Sequence, residues 1–105
     1  MSNFRAKAYS VPVLAESVQR DYSGFTFDTY RDPPGQVWAN FMHRQDEFIV
    51  VAEGRVEIEV GAERMLCSPG DLVHIPAGVD HSLRTTRDAP SVWHYGYGHF
   101  RGSHD

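Results

Sequence analysis

Residues 35–54 read Gly35-Gln-Val-Trp-Ala-Asn-Phe41-Met-His43-Arg-Gln-Asp-Glu47-Phe-Ile-Val-Val-Ala-Glu-Gly54, and residues 70–85 read Gly70-Asp-Leu-Val-His-Ile-Pro76-Ala-Gly78-Val-Asp-His81-Ser-Leu-Arg-Thr85. Residues two apart on a strand face the same side, so Phe41 and His43 are expected to point into one interior. The chain then turns at Arg44-Gln45-Asp46. Glu47 opens the neighbouring strand, close to His43 across a hairpin. His81 lies far along the chain, past a Pro-x-Gly bend, and shares a strand face with Leu83 that turns it inward. Two imidazoles and one carboxylate converging in a barrel mouth suit Fe(II), Mn, Zn or Ni. Three such ligands leave coordination positions open for a substrate or O2.

The surrounding chain reads as short strands. Turn signals fall at Arg31-Asp32-Pro33-Pro34-Gly35, Glu53-Gly54, Gly61, Ser68-Pro69-Gly70-Asp71, Pro76-Ala77-Gly78 and Asp88-Ala89-Pro90. Their spacing, roughly 7 to 12 residues, is that of antiparallel strands in a sandwich or barrel. Val56, Ile58 and Val60 alternate with Arg55, Glu57 and Glu59, so one face is buried and Glu57 and Glu59 face solvent. Phe25 and Phe27 alternate with Thr26 and Asp28 more weakly. Residues 47–52 are apolar on both faces and need cover on both, from a second sheet or a partner subunit. That strand is the reason to expect a homodimer. No long helical period, internal repeat or low-complexity tract is present, and residues 1–24 are read as an early strand and a loop. The whole chain, residues 1–105, is expected to form one domain, with a motif core at 35–85 and a frayed polar tail at 98–105.

The two stretches resemble the motifs of the cupin superfamily. The first motif of that family is G-x5-H-x-H-x3,4-E-x6-G. Gly35, His43, Glu47 and Gly54 stand at its spacings, with Phe41 in place of the first histidine. The second is G-x5-P-x-G-x2-H-x3-N, matched by Gly70, Pro76, Gly78 and His81, with Thr85 in place of the final Asn. The resemblance implies an all-β, single-domain double-stranded β-helix, the jelly-roll or cupin barrel. It also implies His43, Glu47 and His81 as the ligands of a divalent metal ion, and dimers. It does not select a reaction, because cupins include dioxygenases, isomerases, epimerases, decarboxylases, seed storage proteins and sugar-binding regulators. Phe41 leaves two outcomes open: a three-ligand metal site beside an apolar wall, or a barrel that has lost its metal. The first favours a metal-dependent enzyme of the dioxygenase or isomerase kind, acting on a small organic molecule. The second favours a non-catalytic small-ligand-binding or sensor barrel, and a purely structural, hydrogen-bonded trio is a third reading.

Each residue also has an ordinary explanation. An inward His81 can be a hydrogen-bonded core residue, and a buried Glu47 can pair with an interior Arg. Besides Phe41, the pocket candidates are His74, His94 and Thr85. His74 has no clear parity between pocket wall and surface, and His94 is the weaker of the two histidines. His99 and His104 belong to the expected tail. Trp38, Trp93, Tyr95 and Tyr97 are read as core or interface in preference to pocket lining. Arg44 or Arg84 would bind an anionic group if they faced the mouth. Cys67 reads as a small buried hydrophobe. Gly96 and Gly98 precede no helix and form no phosphate loop.

Composition bounds the rest. The chain has 105 residues, 41% hydrophobic and 23% charged, so it makes one ordered domain and not two. A net charge of −4 argues against nucleic acid and polybasic membrane binding. The single cysteine rules out an intrachain disulfide and Cys-rich zinc modules. The opening residues lack the apolar core of a signal peptide, and no apolar run approaches the ~20 residues of a membrane span. The expectation is a cytoplasmic protein.

Overall fold

The computed structural model describes residues 2–100. It is a jelly-roll of two antiparallel sheets. The first runs β1 (Phe4–Arg5), β7 (Leu72–Ile75), β4 (Asp46–Glu53), β9 (Ser91–Gly98) and β2 (Asp28–Asp32), in that spatial order. The second runs β3 (Val37–Phe41), β8 (His81–Thr85), β5 (Val56–Val60) and β6 (Glu63–Cys67). The helix α1 (Ala15–Asp21) packs outside the first sheet through Val18, which is fully buried. Among the described residues no helix is long and apolar enough to cross a membrane.

Strand parity builds the core. Ile49 and Val51 of β4, Val73 and Ile75 of β7, and Trp93 of β9 point between the sheets. They meet Val56, Ile58 and Val60 of β5 and Leu83 of β8. The alternation at Arg55–Val60 predicts this strand correctly. Cys67 is fully buried in the same cluster, and burial pushes its thiol up to about 12, as fits an inert apolar residue.

The other face of β4 also needs cover, and the chain supplies it. Phe48, Val50, Leu72 and Val18 form a second cluster beneath Tyr9, Tyr22, Phe25, Phe27 and Phe100. Tyr22 stacks on Phe48 with ring centroids 4.1 Å apart. The two-faced strand therefore no longer argues for a homodimer. It is central because the N-terminal arm, α1 and the stretch after β9 fold over it.

Three expectations are corrected here. The N-terminal region contains α1 as well as the short strand β1, where a strand and a loop were expected. The strand expected around Phe25 and Phe27 starts later, at Asp28, and the two rings pack on the outer cluster instead. Residues 98–100 are not frayed. Gly98 ends β9, the Phe100 ring stacks on His74 at 4.1 Å, and the Phe100 N–H donates to Asp46 Oδ2 at 2.7 Å. The rest of the expected tail, with His104, lies outside the described residues.

Two glycines show why the backbone takes this path. Gly54 opens the β4–β5 turn at φ 75°, and a Cβ there would lie 2.2 Å from the Pro90 carbonyl oxygen. Gly96 sits opposite Phe48 in the ladder, and a Cβ would come within 1.8 Å of the Thr26 carbonyl oxygen. The glycines of β9 thus let the outer aromatic layer close onto the sheet.

Candidate metal centre

Glu47 is the second residue of the central strand β4, flanked by Ile75 and Tyr97. His81 begins β8, flanked by Val60 and Phe41. The two strands belong to opposite sheets, so the carboxylate and the imidazole face each other across one end of the barrel. His43 reaches the same place from the crossover between β3 and β4. These strands are in different sheets and make no hairpin, so His43 meets Glu47 through a sheet-to-sheet connection.

Two contacts aim that crossover. The Gly78 N–H donates to the His43 carbonyl at 2.9 Å, and the Ala77 N–H donates to Asp46 Oδ1 at 2.8 Å. The Pro76-Ala77-Gly78 bend therefore holds the crossover as well as leading into β8. Asp46 is 1% exposed and ties this bend to the stretch after β9. Sequence reasoning read it only as a turn residue.

His43 Nε2 lies 2.9 Å from Glu47 Oε1, and His81 Nε2 lies 3.3 Å from the same oxygen. One ligand atom from each of the three residues falls within 4.8 Å of the others. The remaining nitrogens fix the tautomers. His43 Nδ1–H donates to the Gln45 carbonyl at 2.7 Å, and His81 Nδ1–H donates to the Val79 carbonyl at 3.3 Å. A carbonyl can only accept, so each Nδ1 carries a proton, and Nε2 is the atom each ring presents to Glu47, as a donor where it is protonated and as a lone pair where a cation takes the proton's place. Two imidazole Nε2 atoms and a carboxylate converge on one region, which calls for a cation or a proton between them. Burial pulls the His81 pKa down, but hydrogen bonds to Glu47 and Val79 and the charge of Glu47 outweigh it, and the net shift is upward. Metal ligands at ~2.1 Å in neighbouring coordination positions are about 3 Å apart, so the donor set and its spacing fit a divalent ion.

The three residues line a cavity of about 200 Å³ walled by Tyr30, Trp38, Phe41, Trp93, Tyr95 and Tyr97. Phe41 is at the rim, 43% exposed, with its ring 6.2 Å from that of His81. Trp93 belongs to the core cluster and Trp38 and Tyr95 pack against it, as expected, and with Tyr97 they also line this cavity, because Trp93, Tyr95 and Tyr97 share the inward parity of β9. Burial, with the charge of Glu47 second and Tyr30 third, pushes the Tyr97 hydroxyl up to about 12. Asp32, read from sequence only as part of a turn, accepts the indole N–H groups of Trp38 at 2.9 Å and Trp93 at 3.2 Å.

Three candidates are placed elsewhere. His74 has the parity opposite to Val73 and Ile75 and lies on the outer face of the first sheet, where its Nε2 pairs with the Tyr22 hydroxyl. Burial, then the charge of Arg5, pulls its pKa down, opposed by Asp46. His94 has the parity opposite to Trp93 and Tyr95. It stacks on Phe27 outside the barrel and pairs through Nδ1 with the Thr29 hydroxyl at 2.8 Å. Thr85 is inward and 1% exposed, but it lies at the far end of β8 from His81 and bonds the Ser91 hydroxyl at 2.8 Å. His99 is exposed beside an outer groove that also includes His74. Glu47 has histidine partners and no interior Arg partner among the described residues, and Arg84 is exposed and paired with Glu57.

Comparison with known proteins agrees with this architecture. The chain is similar to an uncharacterised protein of Streptomyces coelicolor, 44% identical over 41 residues that cover 39% of each chain. It therefore spans well under half the length of that relative in the match. Among solved structures it is similar to protein TT1209 of Thermus thermophilus, with a TM-score of 0.66, 27% identity, and coverage of 90% of this chain and 86% of that one. A cupin 2 domain-containing protein of Halorhodospira halophila superposes with a TM-score of 0.68 at 17% identity, over 84% of this chain and 61% of that one. Residues 29–97 match the family model of the cupin domain. That match takes in both sheets and all three converging side chains, and the chain belongs to the cupin domain family.

Proposed function

We propose that this cupin holds a divalent metal ion through His43, Glu47 and His81 and acts on a small organic molecule in the adjoining cavity. The observation that carries this reading is the pair of imidazoles whose Nδ1–H groups are committed to backbone carbonyls, leaving both Nε2 atoms aimed at one carboxylate. Backbone bonds of that kind orient ligating histidines and raise their basicity. When bound, a divalent ion supplies Lewis acidity or, as Fe(II), reactivity towards O2. The chain itself supplies the aromatic wall, the Tyr97 ring 4.8 Å from that of His43, and the fixed orientation of the three ligands. Fe(II), Mn, Zn and Ni all suit the donor set, and the reaction class stays between dioxygenase-like and isomerase-like.

The test is elemental analysis of protein reconstituted with each of these metals in turn and then desalted. One ion per chain in the wild type, lost in His81→Ala, is expected. No retained metal with any of the four overturns the reading.

Phe41 supports a second reading, a non-catalytic barrel that binds a small ligand without needing metal. Its apolar ring fills the place of the first motif histidine at the cavity rim. Thermal stabilisation by small molecules that is equal in metal-loaded and chelator-treated protein favours it. Metal-dependent turnover abolished by Glu47→Gln excludes it.

A further inference from the structure

We infer that the aromatic half of the cavity is a subsite for a small organic cation, an alkylated ammonium group whose oxygen-bearing end reaches towards His43, Glu47 and His81. The inference rests on the reading of this cavity as a ligand site, but not on a metal being bound there.

Outside the two imidazoles paired with Glu47, the charges at the cavity point one way. Among its described lining residues there is no lysine or arginine, and Glu47 is the one carboxylate in the lining. Arg84, the cation on the strand that carries His81, is turned outward onto Glu57. An anionic group in the aromatic half would find no cationic side chain to receive it. A second carboxylate stands behind the wall. Asp32 is 6% exposed and accepts both indole N–H groups, which anchors Trp38 and Trp93 and adds negative potential to their rings. Aromatic faces attract cations through their quadrupoles, most strongly for indole and when water is excluded.

The ring geometry suits such a guest. Tyr30 and Trp38 are near-parallel, 6° apart, whereas Tyr30 meets Trp93 at 84°. Tyr95 meets Tyr97 at 81°. Trp93 and Tyr95 meet at 53° and Tyr30 and Tyr95 at 33°, and rings set at such varied angles enclose a compact, rounded group better than a flat one. The volume of about 200 Å³ exceeds the ~150 Å³ that accommodates benzene, so a guest of choline size fits.

The probes are choline and its neutral carbon isostere, dimethylbutanol, with butyrate as the anionic comparison. Binding is read by calorimetry and by the fluorescence of Trp38 and Trp93, the two tryptophans of the chain. Choline is expected to bind about tenfold more tightly than the isostere, with butyrate weakest. Asp32→Asn, which keeps the shape, should reduce that preference several-fold. Equal or tighter binding of the isostere, tighter binding of butyrate, or no saturable choline binding overturns the inference. These comparisons run on chelator-treated protein, with metal content measured separately. A choline preference, together with no metal retained after reconstitution, leaves the inference standing and removes the metal reading. Retained metal without a choline preference does the reverse.

Discussion

Glu47, second in β4, and His81, first in β8, lie on strands of opposite sheets, yet Oε1 of one lies 3.3 Å from Nε2 of the other. The contact closes one end of the barrel and is shared with His43, whose Nε2 is 2.9 Å from the same oxygen. Glu47 is 3% exposed and His81 4% exposed, so neither group can turn to water for compensation. Whatever positive charge settles between them substitutes for that water.

Glu47→Gln keeps the shape of the side chain and removes its charge. Retained metal should fall to background in the reconstitution assay, since a neutral amide is a poor partner for a divalent ion. Fold stability of the metal-free protein should change by only ~1–2 kcal/mol in chemical denaturation, because the amide can still bond one imidazole. Wild-type metal content in the variant would exclude Glu47 as a ligand.

Phe41→His restores the missing position of the first cupin motif. Phe41 pairs in register with His81 on the adjacent strand and borders the cavity, so a histidine there can turn its nitrogen towards the trio. Metal affinity should rise on the order of tenfold or more, measured by competition with a chelator. An unchanged affinity would show that position 41 is too far out on the rim to ligate.

Asp46 binds two backbone N–H groups, those of Ala77 and Phe100, from separate parts of the chain. Asp46→Ala strands both donors in a buried setting. A loss of about 2–4 kcal/mol in denaturant unfolding is expected, along with weaker metal retention because the bend beside His43 loosens. If the variant unfolds outright, Asp46→Asn, which keeps an acceptor, should restore both properties in part.

Much of this site was legible because its residues stand in spaced motifs and on strands whose parity can be counted. His81 shares a face with Leu83, and that alone turns it inward. His74 was harder. The run from Leu72 to Ile75 is apolar on both sides of it, so parity cannot be assigned until the ladder Glu47 to Ile75 is known. Trp93, Tyr95 and Tyr97 occupy alternate inward positions that serve equally well as core or as cavity wall. The choice depends on how far the two sheets part at that end, which no local pattern encodes. Asp32 and Asp46 look like turn residues, and their roles come from partners distant in sequence. Helix α1 buries only Val18, too little to leave a helical period in the chain.

His74 and His94 set the acid behaviour of the fold. Burial comes first in lowering both pKa values from the usual 6.5, since each imidazole is packed against aromatic rings on the outer face of the first sheet. Above that value both are neutral in the folded and unfolded chains and contribute nothing to the pH dependence. As the pH falls through it, the unfolded chain takes up protons that the folded chain refuses, and stability declines until the folded imidazoles protonate in turn. His81 acts in the opposite sense in metal-free protein. Its raised pKa contributes stability that is present below the ordinary value and lost as the pH rises through its own. The double variant His74→Gln/His94→Gln keeps His81 and removes the two buried imidazoles. Its melting temperature should therefore fall less than that of the wild type between about pH 7 and pH 5, a range above most carboxylate titration. Parallel decline of the two proteins would show that both histidines protonate in place without opening the outer layer.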